Sequence, residues 1–168
     1  MTVRLWLVRH GSTDWSDQGR FNGWTDVPLN GRGRAEAARL AGSLATRRFA
    51  GVWSSDLARA VETARLSVGA ATPDRRLREL NFGAIEGRTW DECPPQIRRE
   101  LLAFDSFAAA QGESVQDLMS RVAAFVEELP AGDHLLFTHG GVIRGLGRRL
   151  GRQIRVEPGE MVRLEVST

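Results

Sequence analysis

The sequence has no lysine and no tyrosine, a single cysteine, Cys93, and only three histidines. One thiol can form neither an internal disulfide nor a cysteine-rich metal site, so nothing asks for an oxidising compartment and cytoplasm is the default expectation. Cys93 itself reads as a small, half-buried residue. Uninterrupted apolar runs of ~18 residues are missing, and the stretch Val3–Arg9 is too short for a secretory core segment, so neither export nor membrane insertion is expected. Repeats, low-complexity tracts and linkers are lacking as well. At 168 residues, the chain is expected to form one domain over its whole length.

The lack of lysine and tyrosine also explains the charge. All 23 basic residues are arginine against 21 acidic ones, a formal net charge of +2. With so few groups titrating between carboxylate and guanidinium, that small excess alone lifts the pI to about 9.8. Arg75, Arg76 and Arg78, and Arg148, Arg149, Arg152 and Arg155, read as solvated faces, so no nucleic-acid partner is expected. What arginine does supply is a stock of permanently charged planar donors suited to phosphate or carboxylate oxygens.

Hydrophobic periodicity describes an α/β protein. Val3–Arg9 reads as a buried strand and residues 11 to 29 as a loop; Asn30 can cap a helix whose apolar positions are Ala37, Leu40, Ala41 and Leu44. Gly51–Ser54 is a second strand, and Asp56 can cap a helix carrying Leu57, Ala60, Val61 and Ala64 to about Val68. A strand is expected around Leu77 and a turn-rich stretch at 81–87. Pro94 and Pro95 can open a helix to about Leu102, and Ser114 can cap a stronger one with Val115, Leu118, Val122, Phe125 and Val126 on one face. His134–Thr138 is a strand, about 142–150 a helix, and Met161–Val166 a last strand. This order predicts a three-layer α/β/α arrangement on a mostly parallel sheet, with ligands at the carboxyl edge of the strands.

The chemistry-bearing residues fall at those strand ends. Arg9-His10-Gly11 closes the first strand, Ser54-Ser55 the second, and Thr138-His139-Gly140-Gly141 follows the strand from His134. Arg59, in the first turn of the helix after Ser55, points its guanidinium to the same region as that helix's free amides. Two imidazoles and two guanidiniums without metal-type spacing call for a compact, highly charged anion, and a phosphoryl group fits that description. His134 lies away from such company and is expected only to pack or to meet solvent. Trp6 and Trp53 read as core, whereas Trp15, Trp24 and Trp90 are candidates either to line a pocket or to pin a loop. The pair Gly31 and Gly33 lacks the third glycine and preceding strand of a dinucleotide site; neither a P-loop nor a G-x-S-x-G elbow occurs.

Six ordered blocks, LVRHGSTDW (7–15), RFNGWTDVPLNGRG (20–33), SSDLARAVETA (54–64), RELNFGAIEG (78–87), GESVQDLMSRV (112–122) and THGGVIR (138–144), resemble the histidine phosphatase superfamily over nearly the whole chain. Within it, the pattern is most similar to the α-ribazole phosphatase-like branch. The resemblance implies that His10 is the nucleophile, that Arg9, Arg59 and His139 hold the transferring oxygens, and that Glu79 is the acid and base. It also implies phosphate contacts from Gly11, Asn22, Gly23 and Gly140, and from Ser16, which stands where the family often has Asn. No metal and no cofactor are implied.

The implied activity is hydrolysis of a small phosphomonoester, with α-ribazole phosphate a candidate; the alternatives are a phosphoglycerate mutase-type transfer and a noncatalytic phospholigand-binding module. Gly141 stands where mutases usually have Asn, the segment around Trp90 lacks the familiar mutase Lys, and only 24 residues follow Arg144. These departures favour hydrolysis, because a mutase must shield its phosphoenzyme from water.

Overall fold

Val3, Leu5 and Leu7 point to one side of strand β1 (Thr2–Arg9) and Trp6 and Val8 to the other, the alternation of a strand covered on both faces. The computed structural model describes residues 2–167. Five strands form one sheet in the order β3-β2-β4-β1-β5, where β2 is Gly51–Ser54, β3 Thr72–Pro73, β4 Gly132–Thr138 and β5 Met161–Ser167. β1, β4, β2 and β3 run parallel, and β5 is antiparallel on β1.

Helices α2 (Gly31–Leu44) and α3 (Ala58–Val68) cover one face, where Leu40, Leu44 and Ala64 meet Val8, Leu135 and Phe137. On the other face α4 (Pro95–Ala103), α5 (Val115–Glu127) and α6 (Gly140–Arg149) bury Leu101, Leu118, Val122, Phe125, Val142 and Ile143 against Val3, Leu5, Leu7 and Leu136. The result is the expected three-layer α/β/α arrangement. Among the described residues, no helix is long and apolar enough to cross a membrane.

Local capping follows the sequence at α2 and α5. Asn30 accepts from the Gly33 amide, and Ser114 forms a reciprocal capping box with Asp117. Two expectations fail. Leu77 closes a 3₁₀ turn (Arg75–Leu77), not a strand, because the Asp74 carboxylate accepts from the Arg76 amide and tightens the chain; the edge strand is the short Thr72–Pro73. Asp56 does not cap α3. Its carboxylate takes a two-toothed pairing with Arg78 at 2.7 Å per contact, and Asp26 of the long loop accepts from the Ala58 amide instead. That loop also contains a one-turn helix, α1 (Asp14–Asp17).

Candidate active site

The parallel register sets Arg9 beside Thr138 and Ser54 beside Phe137, so the residues following β1, β4 and β2 emerge together. His10 and His139 are both buried, with ring centroids 5.1 Å apart. His10 Nδ1 lies 2.7 Å from the Gly11 carbonyl oxygen, which can only accept, so Nδ1 carries the proton and Nε2 keeps its lone pair. The Arg59 Nε–H donates to that Nε2 at 3.3 Å.

Arg59 is fully buried, held by donations to the carbonyls of Asn22 (3.2 Å), Gly23 (2.6 Å) and Thr25 (3.1 Å). The loop that the sequence leaves featureless is thus the mount for a guanidinium. Burial lowers the Arg59 pKa to about 10, still charged at neutral pH. Burial, followed by the positive charges of Arg59 and Arg9, pushes His10 well below the usual imidazole range; His139 is pushed the same way, by burial first and then by Arg59. Both rings are therefore neutral at pH 7.

Three buried polar atoms, Arg9 Nε, Asn22 Oδ1 and His139 Nδ1, have no hydrogen-bond partner among the described residues. Arg9 is steadied by donation from Nη1 to the Val156 carbonyl at 2.9 Å, and burial lowers its pKa. His139 Nε2 contacts the Ser55 hydroxyl at 2.8 Å. The Glu79 carboxylate is buried and accepts the Leu80 amide at Oε1 (2.7 Å) and the Gly141 amide at Oε2 (2.9 Å). Its charge is felt by both Arg9 and Arg59. Arg9 Nε and, when it carries the ring proton, His139 Nδ1 are unpaired donors suited to a phosphoryl group, which accepts from several sides at once, whereas Asn22 Oδ1 can only accept.

The glycines of the motifs serve close approach of backbone. A Cβ at Gly11 would come 2.3 Å from the Gly33 carbonyl oxygen, and one at Gly33 2.1 Å from that of Ser12, so the start of α2 backs directly onto the turn after His10. This packing is the purpose of Gly33. A Cβ at Gly23 would lie 2.4 Å from the Leu80 carbonyl oxygen. At Gly140 a Cβ would meet Arg9 at 3.6 Å, ordinary contact, so glycine is not sterically required there.

Ser16 spends its hydrogen bonds in the α1 capping box with Thr13. Trp24 donates from Nε1 to the Glu79 carbonyl and lies under Arg78; Trp15 lines a cleft with Arg20, Glu86, Gly87, Arg88 and Glu92; and Trp90 packs on Phe21. His134 is buried with Nε2 against the Pro130 carbonyl and Nδ1 near the Trp53 indole, away from the paired histidines' contacts. The α3 terminus differs from the sequence picture of free amides aimed at an anion, since Asp26 already takes the Ala58 N–H.

Several residues around the site escape sequence reasoning. The Thr63 hydroxyl donates to the Arg59 carbonyl (2.7 Å) and accepts the Gly11 amide (3.1 Å). Its place four residues after Arg59, on one helix face, is a signal that could find it. The Glu36 carboxylate, buried, accepts from the Ser12 amide and hydroxyl. Arg121, paired with Glu113, donates to the carbonyls of Arg76, Arg78 and Glu79, fixing the segment that presents the Glu79 carboxylate. No periodicity foretells those last contacts.

A mostly parallel sheet flanked by helices, with two histidines and two arginines meeting at its carboxyl edge, defines a phosphoglycerate mutase-like α/β/α protein. Residues 5–167 match the histidine phosphatase superfamily (branch 1), and the chain belongs to that family. It is 31% identical to the probable phosphoglycerate mutase GpmB of Yersinia pestis, over 97% of this chain and 85% of that protein. The crystal structure of a phosphoglycerate mutase from Thermus thermophilus superposes with a TM-score of 0.90 at 44% identity, covering 96% of this chain and 92% of the other. An Escherichia coli K-12 structure titled "a putative alpha-ribazole-5'-P phosphatase" gives 0.82 at 27% identity, covering 98% and 91%.

Proposed function

We propose that the protein is a phosphomonoester hydrolase working through a phosphohistidine at His10. The observation that carries this reading is the tautomer lock: the Gly11 carbonyl holds the proton on Nδ1, which leaves Nε2 with its lone pair, held only by a long 3.3 Å donation from the Arg59 Nε–H. A nucleophile with a lowered proton affinity needs no separate base at neutral pH.

In the first step Nε2 of His10 attacks phosphorus, the ester P–O bond breaks, and Glu79 relays the proton carried by the substrate's phosphate monoanion to the departing oxygen, releasing the alcohol. Arg9, Arg59 and the His139 Nδ1–H stabilise the equatorial oxygens, where charge is spread in the transition state. In the second step water attacks phosphorus, the P–N bond breaks, and the Glu79 carboxylate takes the water's proton and returns it to the departing inorganic phosphate. Ester and water become alcohol and inorganic phosphate, and the enzyme returns to its starting protonation. The cations that neutralise the phosphoryl group all come from the chain, so the reaction is proposed to be metal-independent.

The substrate class is a small phosphomonoester. α-Ribazole phosphate is a candidate through the likeness to the E. coli structure. The names of the Yersinia and Thermus relatives favour a second reading, in which the phosphoryl group returns to another oxygen of the substrate. Gly141 and the absent lysine near Trp90 weigh toward hydrolysis. The test is p-nitrophenyl phosphate turnover in excess EDTA: release of p-nitrophenol by the wild type, abolished by His10→Ala, supports the hydrolase. Phosphoglycerate isomerisation outrunning hydrolysis in the presence of a bisphosphate primer overturns it in favour of the mutase. Ligand binding without turnover of any ester leaves only a binding module.

A further inference from the structure

Gly141 touches the acid–base carboxylate twice. Its amide N–H donates to Glu79 Oε2 at 2.9 Å, and a Cβ built on it would fall 2.1 Å from Oε1, 3.0 Å from Cδ and 3.3 Å from Oε2. Because Leu80 donates to the other oxygen at 2.7 Å, both carboxylate oxygens are tied to main-chain amides and the group sits flat against the first turn of α6. Gly141 does not have a positive φ, so a left-handed backbone does not explain the glycine. The requirement for glycine there is steric, and the atom it spares is the functional one.

Resting on the hydrolase reading above, we propose that Gly141 is the positioning residue for Glu79: its amide aims the carboxylate and its missing side chain provides the seat. With the backbone and the Glu79 rotamer of this chain, a Cβ at 141 displaces the carboxylate from the leaving oxygen while leaving the phosphoryl cradle of Arg9, Arg59 and His139 in place. The clash is with the far end of a flexible side chain, so the fold yields by rotating Glu79 aside. A catalyst cannot yield in that way, since proton delivery requires hydrogen-bond distance to the oxygen that departs. The expected defect is therefore selective. Proton donation matters for a poor leaving group and hardly at all for one that leaves as a stable anion.

The experiment compares wild type, Gly141→Ala and Glu79→Gln in single-turnover release of alcohol from phenyl phosphate and from 2,4-dinitrophenyl phosphate. In Gly141→Ala the phenyl ester should slow by about 100-fold, the scale of general acid catalysis, and the dinitrophenyl ester by less than about threefold, as in Glu79→Gln. The thermal midpoint and the inhibition constant of inorganic phosphate should stay close to the wild-type values. Glu79→Asp withdraws the carboxylate by one methylene and makes room for a Cβ, so the double variant should lose less than the product of the two single losses. Equal slowing of both esters, or no slowing of either, overturns the assignment, as does strict multiplicativity in the double variant. Failure of the wild type on both esters overturns the hydrolase reading itself and the inference with it, and is told apart because no Gly141 variant is needed to see it.

Discussion

Ser55 Oγ lies 2.8 Å from His139 Nε2, while the opposite ring nitrogen of His139 is buried without a partner among the described residues. The Ser55 hydroxyl already accepts the Leu57 amide at 3.3 Å, which leaves its own proton free to donate to Nε2. That donation places the imidazole proton on Nδ1, where it can meet an anionic oxygen. Ser55→Ala should weaken inorganic phosphate as a competitive inhibitor by about tenfold, the scale of one charge-assisted hydrogen bond, and Ser55→Thr should restore most of it. Nitrogen-15 spectra of the His139 ring report the tautomer directly. Unchanged phosphate affinity in Ser55→Ala would sink this role.

His10 and His139 are neutral in the folded protein because burial and nearby guanidiniums lower their pKa values below the ordinary imidazole value of 6.5. As pH falls through 6.5 the unfolded chain takes up protons at these positions and the folded chain does not, so stability is full above that pH and declines below it. Each histidine contributes a slope of up to about 1.4 kcal/mol per pH unit between its unfolded and folded values. Urea denaturation at about pH 7.5 and about pH 5.5, on either side of the ordinary imidazole value, should show this loss, and the variant His10→Gln with His139→Gln should flatten it. An equally steep decline in that double variant would refute the assignment.

Arg121 and Glu113 form a largely buried pair, with side chains 17% and 11% exposed, and the guanidinium also satisfies three carbonyls before and at Glu79. Removing it leaves a buried carboxylate and those carbonyls without their donor. Arg121→Met should cost about 3 kcal/mol in chemical denaturation and slow hydrolysis of poor leaving groups by loosening the Glu79 segment. A loss under about 1 kcal/mol, typical of exposed pairs, would contradict this account.

Asp26 supplies the cap that Asp56 does not. Asp26→Ala should destabilise the fold by about 1 kcal/mol, whereas Asp56→Ala should leave the α3 terminus protected in hydrogen exchange. The reverse ranking at the Ala58 amide would restore Asp56 as the cap.

Periodicity placed β1, β2, β4, α2, α5 and β5 within a few residues of where they lie, because apolar spacing and the polar caps Asn30 and Ser114 act over one or two turns. It failed at Leu77, where a buried leucine sits in a turn closed by Asp74, and at Asp56, whose carboxylate meets a stronger partner in Arg78. In both places a side chain with several available partners was settled by what the fold brought near it.

The sequence alone determined that strands alternate with helices, and that Arg9, His10, Ser55 and His139 stand at strand ends, since those facts follow from residue type and local spacing. Only the tertiary structure decided that β4 enters between β1 and β2, that carbonyls of a featureless loop hold Arg59, and that Gly141 seats Glu79 from 62 residues away. The physical reason is range: apolar period and capping are set by neighbours a turn apart, whereas a buried charge takes its partner from whichever segment packing delivers, and no local pattern encodes that choice.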